Sequence, residues 1–129
     1  DIAKAMMSLG SVKGIEIGNG FAVSSMKGSE ANDELIVKSK RISTKTNHAG
    51  GIVGGISNGN DIIVRLAVKP TASIAQEQRT VNRKGRPKKI NVEGRHDPCI
   101  CPRIVPIAES MLALVLADHL LKQKIASIK

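Results

Sequence analysis

The stretch from Asn47 to Gly59, NHAGGIVGGISNG, carries five glycines in thirteen residues, and no other segment restricts the possible folds as much. Glycine at that density loses a great deal of conformational freedom on folding. A folded chain tolerates it where backbone must pass close to something, whether a neighbouring segment or a ligand. The run therefore predicts an ordered loop rather than a helix or a long strand. His48 sits inside it with no partner in the adjacent sequence.

The flanking segments supply the regular structure. Ile2, Met6 and Leu9 fall on one side of a helix ending at Gly10. Val12 to Ile17 alternates as a strand and runs into a Gly18-Asn19-Gly20 turn, residues 26–34 read as a polar loop, and Leu35 to Lys38 as a short strand. Beyond the glycines, Asp61 to Val68 is the clearest strand, with Ile62, Val64, Leu66 and Val68 on one face and Ile63, Arg65 and Ala67 on the other. Arg79–Arg83 and Lys88–Val92 form the arms of a hairpin turning at Lys84-Gly85-Arg86-Pro87. Pro106 is placed to open a helix running to about Ile125, apolar nearly all round from Ile107 to Ala117 and so expected to be buried. Lys122, Lys124 and Lys129 complement its dipole. The order predicts an α+β fold with antiparallel or mixed strands and a long buried C-terminal helix.

Charge and side-chain inventory narrow the partners. A net charge of +9 on 129 residues calls for an anionic partner. The single aromatic residue, Phe21, cannot supply the stacking platform of a single-strand binder. The core must be aliphatic, which a missing piece of the protein would explain. The longest apolar run, Met111 to Ala117, is too short for a membrane span, so no membrane partner is expected. The opening DIAKAMMSLG has no secretory pattern and no starting Met, and reads as the middle of a helix. Cys99 and Cys101 stand too close for an unstrained bridge, and two free thiols suit a reducing, cytoplasmic setting.

Three constellations could carry chemistry. At the end of the best strand, Lys69-Pro70-Thr71-Ala72-Ser73 gathers a cation, two hydroxyls and turn amides, a reasonable cradle for an anion, although a solvated loop is the plainer reading. The stretch GRHDPC concentrates Arg95, which can fork onto a phosphate, with His96 and Asp97, which can move protons; an Arg–Asp turn is the structural alternative. Adding Cys99 and Cys101 gives three potential zinc ligands with no fourth at sensible spacing, so no metal is expected. The run from Arg83 to Lys89, RKGRPKK, resembles an AT-hook that would lie in an A·T-rich minor groove. Its place between two strands favours a solvated hairpin tip, and no nucleic acid is expected.

Five collinear strings carry a family resemblance over essentially the whole chain: SVKGIEIGNGF (Ser11 to Phe21), TNHAGGIVGGISNGNDIIVR (Thr46 to Arg65), KPTASI (Lys69 to Ile74), RTVNRKG (Arg79 to Gly85) and GRHDPCICPRIVPIAESMLALVLADHLL (Gly94 to Leu121). Together they resemble chorismate synthase, a flavin-dependent lyase of the shikimate pathway of aromatic amino acid biosynthesis. The resemblance implies a β-α-β sandwich, a homotetramer and reduced FMN as cofactor. The implied reaction is the anti-1,4 elimination of phosphate from 5-enolpyruvylshikimate 3-phosphate, redox-neutral overall, giving chorismate.

By the same resemblance, Lys69, Pro70, Thr71, Ala72 and Ser73 hold the FMN phosphate and ribityl chain, and Gly10, Ser11 and Gly54 are places where backbone meets the flavin. Arg95 matches an arginine at the flavin and the substrate phosphate, and Asp97 an aspartate handling protons near the flavin. Family members are far longer. Residues 1–129 are expected to be a single C-terminal portion, inactive alone, lacking an N-terminal part with two catalytic histidines to which neither His48 nor His96 corresponds.

Overall fold

A computed structural model describes residues 1–127, which divide into two compact units, residues 1–68 and 69–127. Lys129, assigned above to the helix dipole, lies outside the described residues.

In the first unit, helix α1 (Ile2–Met7) packs on strand β1 (Val12–Ile17). Its Ile2 and Met6, one turn apart, are buried together with Val12, and these three are the buried hydrophobic residues of the described chain. Strand β1 is expected from its alternation and pairs antiparallel with β6 (Val64–Val68). Glu16 stands opposite Arg65, their side chains 3.0 Å apart, and its other oxygen accepts the Phe21 N–H at 3.0 Å. One carboxylate thus ties the strand pair to the turn that leaves it. A 3-10 turn (Gly20–Ser25) and a one-turn helix α2 (Gly28–Ala31) follow, the latter inside a stretch read as loop.

Strand β2 (Leu35–Lys38) lies where expected, and β3 (Arg41–Thr44), which the pattern did not reveal, folds back on it. Ser39 and Lys40 make the turn with φ of 51° and 63°, the paired left-handed geometry that suits a two-residue hairpin. The glycine-rich run holds a smaller hairpin, β4 (Ile52–Val53) with β5 (Ile56–Ser57), turning at Gly54-Gly55.

The second unit contains the basic hairpin with its arms earlier than expected, β7 (Gln78–Val81) and β8 (Pro87–Ile90), so that Arg83 lies in the turn and Pro87 in a strand, and helix α3 (Cys101–Ala126). All four strand pairs are antiparallel, so the fold is α+β with antiparallel pairing and a long C-terminal helix.

Two expectations about that helix are corrected. It begins at Cys101, with Pro102 in its first turn, and Pro106 lies inside it. Pro102 takes the position where a missing N–H costs nothing, while Pro106 forfeits one helical hydrogen bond near the N-terminus, where the loss is best tolerated. The helix is also not buried, since none of its described residues is. Leu114 is 66% exposed and Leu121 60%, although their type would draw them into a core. Its most exposed apolar residues fall on two opposite faces at 100° per residue, Val105, Leu116 and Leu120 on one and Ile107, Leu114, Leu121 and Ile125 on the other, with the less exposed Ile104, Met111 and Val115 between them. The membrane expectation also needs revising. The apolar run is short, but the 26-residue helix as a whole is long and apolar enough by length and composition to cross a bilayer.

Candidate functional site

In the second unit, Lys69–Ser73 is an irregular loop directly after β6, and Gly94–Cys99 is irregular ahead of α3. The structure brings the two together. Pro70, Thr71, Ile74 and Ala75 from the first, with Gly94, His96, Asp97 and Pro98 from the second, line a cleft of about 250 Å³. Two segments singled out separately in the sequence thus form one site.

One cation adjoins each lining segment in the chain, Lys69 before Pro70 and Arg95 before His96. Lys69 and Arg95 are exposed, and neither makes a hydrogen bond or ion pair with another described residue. The hydroxyls of Thr71 and Ser73 are likewise without a partner among the described residues. The loop keeps its shape through its backbone instead: Gln78 Nε2 donates to the Ala72 carbonyl at 2.9 Å. Spare donors and positive charge, the chemistry an anion requires, thus stand beside a cleft whose wall also carries one carboxylate, Asp97.

Arg95 does not line the cleft wall, whereas its neighbour His96 does. The imidazole folds back over Gly94, where an added Cβ would stand 3.1 Å from His96 Nε2, so the absence of a side chain at 94 makes room for it. Asp97 is paired not with Arg95, as the turn reading would have it, but with Arg103 on the first turns of α3. Arg103 Nη1 lies 3.0 Å from Asp97 Oδ2, and its Nη2 donates to Oδ1 at 3.4 Å, a forked contact that fixes the carboxylate plane. Sequence reasoning missed Arg103. The available signal was a cation in the first turn of a helix, where the dipole disfavours it unless a carboxylate stands near.

Cys99 and Cys101 are free and exposed. The Cys101 thiol is pushed up from its ordinary value, first by its hydrogen bond with Cys99 and then by burial. Among the described residues no cluster of three His, Cys, Asp or Glu side chains could hold a metal ion. The basic hairpin tip is an ordered turn: Asn82 Oδ1 accepts the N–H groups of Lys84 and Arg86 at 2.9 and 3.0 Å, and Lys89 pairs with Glu77 at 2.7 Å. That differs from an unstructured minor-groove arm and matches a solvated tip.

In the first unit, the residues expected to meet a flavin through backbone are Gly10, Ser11 and Gly54. An added Cβ would meet nothing within 4 Å at Gly10 or at Gly54, so both face open space. Ser11 holds a φ of 69°, unusual for a side-chain-bearing residue. The glycines at the loop root differ: Gly18 and Gly50 pack backbone to backbone, where a Cβ would come within 2.5 Å of the other's amide nitrogen. His48, left without a partner by the sequence, has one here: Asn19 Nδ2 lies 2.6 Å from its Nδ1.

Comparison with known proteins gives the chain a family. The family model described as chorismate synthase matches residues 1–121. A chorismate synthase of Chloroflexus aurantiacus is 58% identical over 129 residues, 99% of this chain and 35% of the relative. One of Roseiflexus castenholzii is 55% identical over all of this chain and 36% of its own length. A crystal structure of chorismate synthase superposes with a TM-score of 0.71 at 35% identity, covering 95% of this chain and 30% of that one. The chain spans about a third of the length of the curated relatives it matches.

Proposed function

The chain belongs to the chorismate synthase family, and from that premise we propose that, joined to the rest of the family chain, it takes part in eliminating phosphate from 5-enolpyruvylshikimate 3-phosphate to give chorismate, with reduced FMN as cofactor. The observation that carries this reading is the cleft itself: segments 70–75 and 94–98 meet around it, and Lys69 and Arg95, adjacent in the chain to lining residues, have no partner among the described residues.

The residues suit the cofactor. Lys69, Thr71 and Ser73 offer one charge and two hydroxyl donors to the FMN phosphate and ribityl chain, Pro70 and Ala72 shape the loop between them, and Gly10, Ser11 and Gly54 leave room for close backbone approach to the flavin. Arg95, next in the chain to the lining residue His96, is assigned here to the phosphates, including the one that leaves, where a cation gains most as charge develops on the departing oxygen. Asp97, oriented by Arg103, accepts and returns a proton. When bound, reduced FMN supplies electron density transiently to the substrate and recovers it. The cleft falls short of the roughly 300–1,000 Å³ typical of complete ligand sites, in keeping with walls contributed by chain outside these residues.

Residues 1–129 act as a single C-terminal portion of a cytoplasmic homotetramer in this account. Its α3, apolar nearly all round, is the middle layer of a β-α-β sandwich. Cover by protein suits the helix better than lipid, because it carries Glu109 and Asp118, and a carboxylate at mid-bilayer costs about 2.5–3.5 kcal/mol.

The test is a chimera in which this chain replaces the matching 35% of the Chloroflexus aurantiacus relative. The chimera should release phosphate and form chorismate with reduced FMN, and the isolated chain should do neither. A folded, FMN-binding chimera that releases no phosphate overturns the reading, as does turnover by the isolated chain.

A further inference from the structure

The glycine-rich loop has a root and a tip of different character, and the root converges on one carboxylate. Asp33, in the connection between α2 and β2, accepts three hydrogen bonds from residues 46–49: Thr46 Oγ1 at 2.7 Å and the His48 N–H at 2.8 Å on Oδ1, and the Ala49 N–H at 2.9 Å on Oδ2. Asn47, between them, works in the other direction. Its Oδ1 accepts the Gly51 N–H at 2.8 Å, and its Nδ2 donates to the Asp61 carbonyl at 2.9 Å. Backbone bonds complete the root, Asn19 N–H to the His48 carbonyl at 2.8 Å and Ile63 N–H to that of Gly50 at 3.3 Å. The tip, Val53-Gly54-Gly55-Ile56, is closed by the pairing of Val53 with Ile56 in its own hairpin, and both glycines face open space.

Successive N–H groups curled around an anion form a nest, and here the anion is the chain's own side chain. A loop with so many glycines would sample many shapes if its root were free. The Asp33 carboxylate removes that freedom at residues 46–49, so a single geometry is handed on to the hairpin that bears Gly54. The burial of apolar surface cannot do this, since the hairpin residues Val53 and Ile56 are 57% and 73% exposed.

We propose that Asp33 is a positioning residue for flavin binding, holding the root of the 47–59 loop so that the Gly54 tip is preset for the cofactor. This rests on the reading of Gly54 as a flavin contact. Loop ordering that is complete beforehand costs nothing at the moment of binding, so Asp33 should act on FMN affinity and leave the chemical step alone.

The experiment measures FMN dissociation constants and kcat at saturating FMN in the chimera for three variants. Asp33→Asn keeps the shape but turns a donor toward an N–H and removes the charge. FMN affinity should fall roughly tenfold to a hundredfold, with kcat within about twofold of wild type. Thr46→Val removes one of the three bonds and should weaken FMN by only a fewfold, which keeps the test open if Asp33→Asn does not fold. Gly54→Asn tolerates the left-handed backbone but fills the open space, and should weaken FMN without disturbing the root. If Gly54→Asn weakens FMN while Asp33→Asn and Thr46→Val lower only the melting temperature, the positioning role is overturned and the flavin contact stands. If Gly54→Asn leaves FMN affinity unchanged, the flavin contact falls and the positioning role with it.

Discussion

Removing Arg103 should separate stability from catalysis at the Asp97 site. Arg103 and Asp97 form a forked contact at 3.0 and 3.4 Å, with side chains 72% and 41% exposed. At such exposure an ion pair contributes about 0–1 kcal/mol. Arg103→Ala should therefore lower the melting temperature of the chimera by only a few degrees. The effect on turnover should be larger. Without the fork, the Asp97 carboxylate is free to rotate away from the cleft it lines, and displacing a reacting group by about 1 Å can cost on the order of a hundredfold. A tenfold to hundredfold fall in kcat, about 1.4–2.7 kcal/mol of barrier, is expected when FMN and substrate both saturate. Arg103→Lys keeps the charge but not the fork and should recover only part of the loss. The assay is anaerobic phosphate release with pre-reduced FMN. Wild-type kcat in Arg103→Ala, or full recovery in Arg103→Lys, would refute orientation of Asp97 as the role of Arg103.

Four further outcomes are expected. In the chimera, Lys69→Ala should weaken FMN binding by about 1.5–3 kcal/mol, the loss of one charged hydrogen bond, and spare kcat at saturation, whereas Arg95→Ala should lower kcat even at saturation; titration and steady-state kinetics distinguish them, and identical behaviour would count against separate roles. Burial pushes the Asp33 carboxyl up, but the Ala49 N–H, the Thr46 hydroxyl and the His48 N–H outweigh it and hold it below its ordinary 3.8. The stabilisation is therefore complete above that value and lost as pH falls through the lower folded one; amide-exchange protection of Ala49 should persist at pH 5, and its loss between pH 6 and 5 would contradict the clamp. Because Cys99 raises the Cys101 thiol, Cys99→Ala should speed alkylation of Cys101 at pH 8, as read by mass spectrometry, and an unchanged rate would remove Cys99 as the cause. Replacing Arg86 and Lys88 with Ser should leave chimera turnover within about twofold, and any binding to A·T-rich duplex should be weak and steeply salt-dependent; tight, salt-resistant binding lost in Arg86→Ala would restore the minor-groove reading.

Where local pattern decides structure, the sequence was legible. The alternation of Val12–Ile17 and of Ile62–Val68 placed β1 and β6, and the Gly-Arg-Pro punctuation placed the β7–β8 turn. Strand β3 escaped because RIST has little alternation and its turn uses Ser39 and Lys40 rather than glycine or asparagine. The helix start was assigned to Pro106 because two prolines, Pro102 and Pro106, lie close together and either suits a first turn. Burial of α3 was read from composition, which reports what a helix face wants to meet, not whether the partner layer is among these residues. At the site, KPTAS and GRHDPC were both visible as strings, but their meeting in one cleft is tertiary. Nothing local marks Asp33 as the partner of His48 and Ala49, fifteen and sixteen residues away, or Asn19 as the neighbour of His48, twenty-nine away. Those contacts depend on how β1, β6 and the glycine loop stitch together.

The central claim, that the cleft between Lys69–Ser73 and Gly94–Pro98 serves the FMN and substrate phosphates, is tested most directly by an anaerobic crystal structure of the chimera with reduced FMN and 5-enolpyruvylshikimate 3-phosphate. The account predicts Lys69 Nζ within about 2.7–3.2 Å of an FMN phosphate oxygen and the Arg95 guanidinium at the same distance from the phosphate that leaves. Finding both phosphates held by other cations, with the cleft filled by solvent, would contradict it.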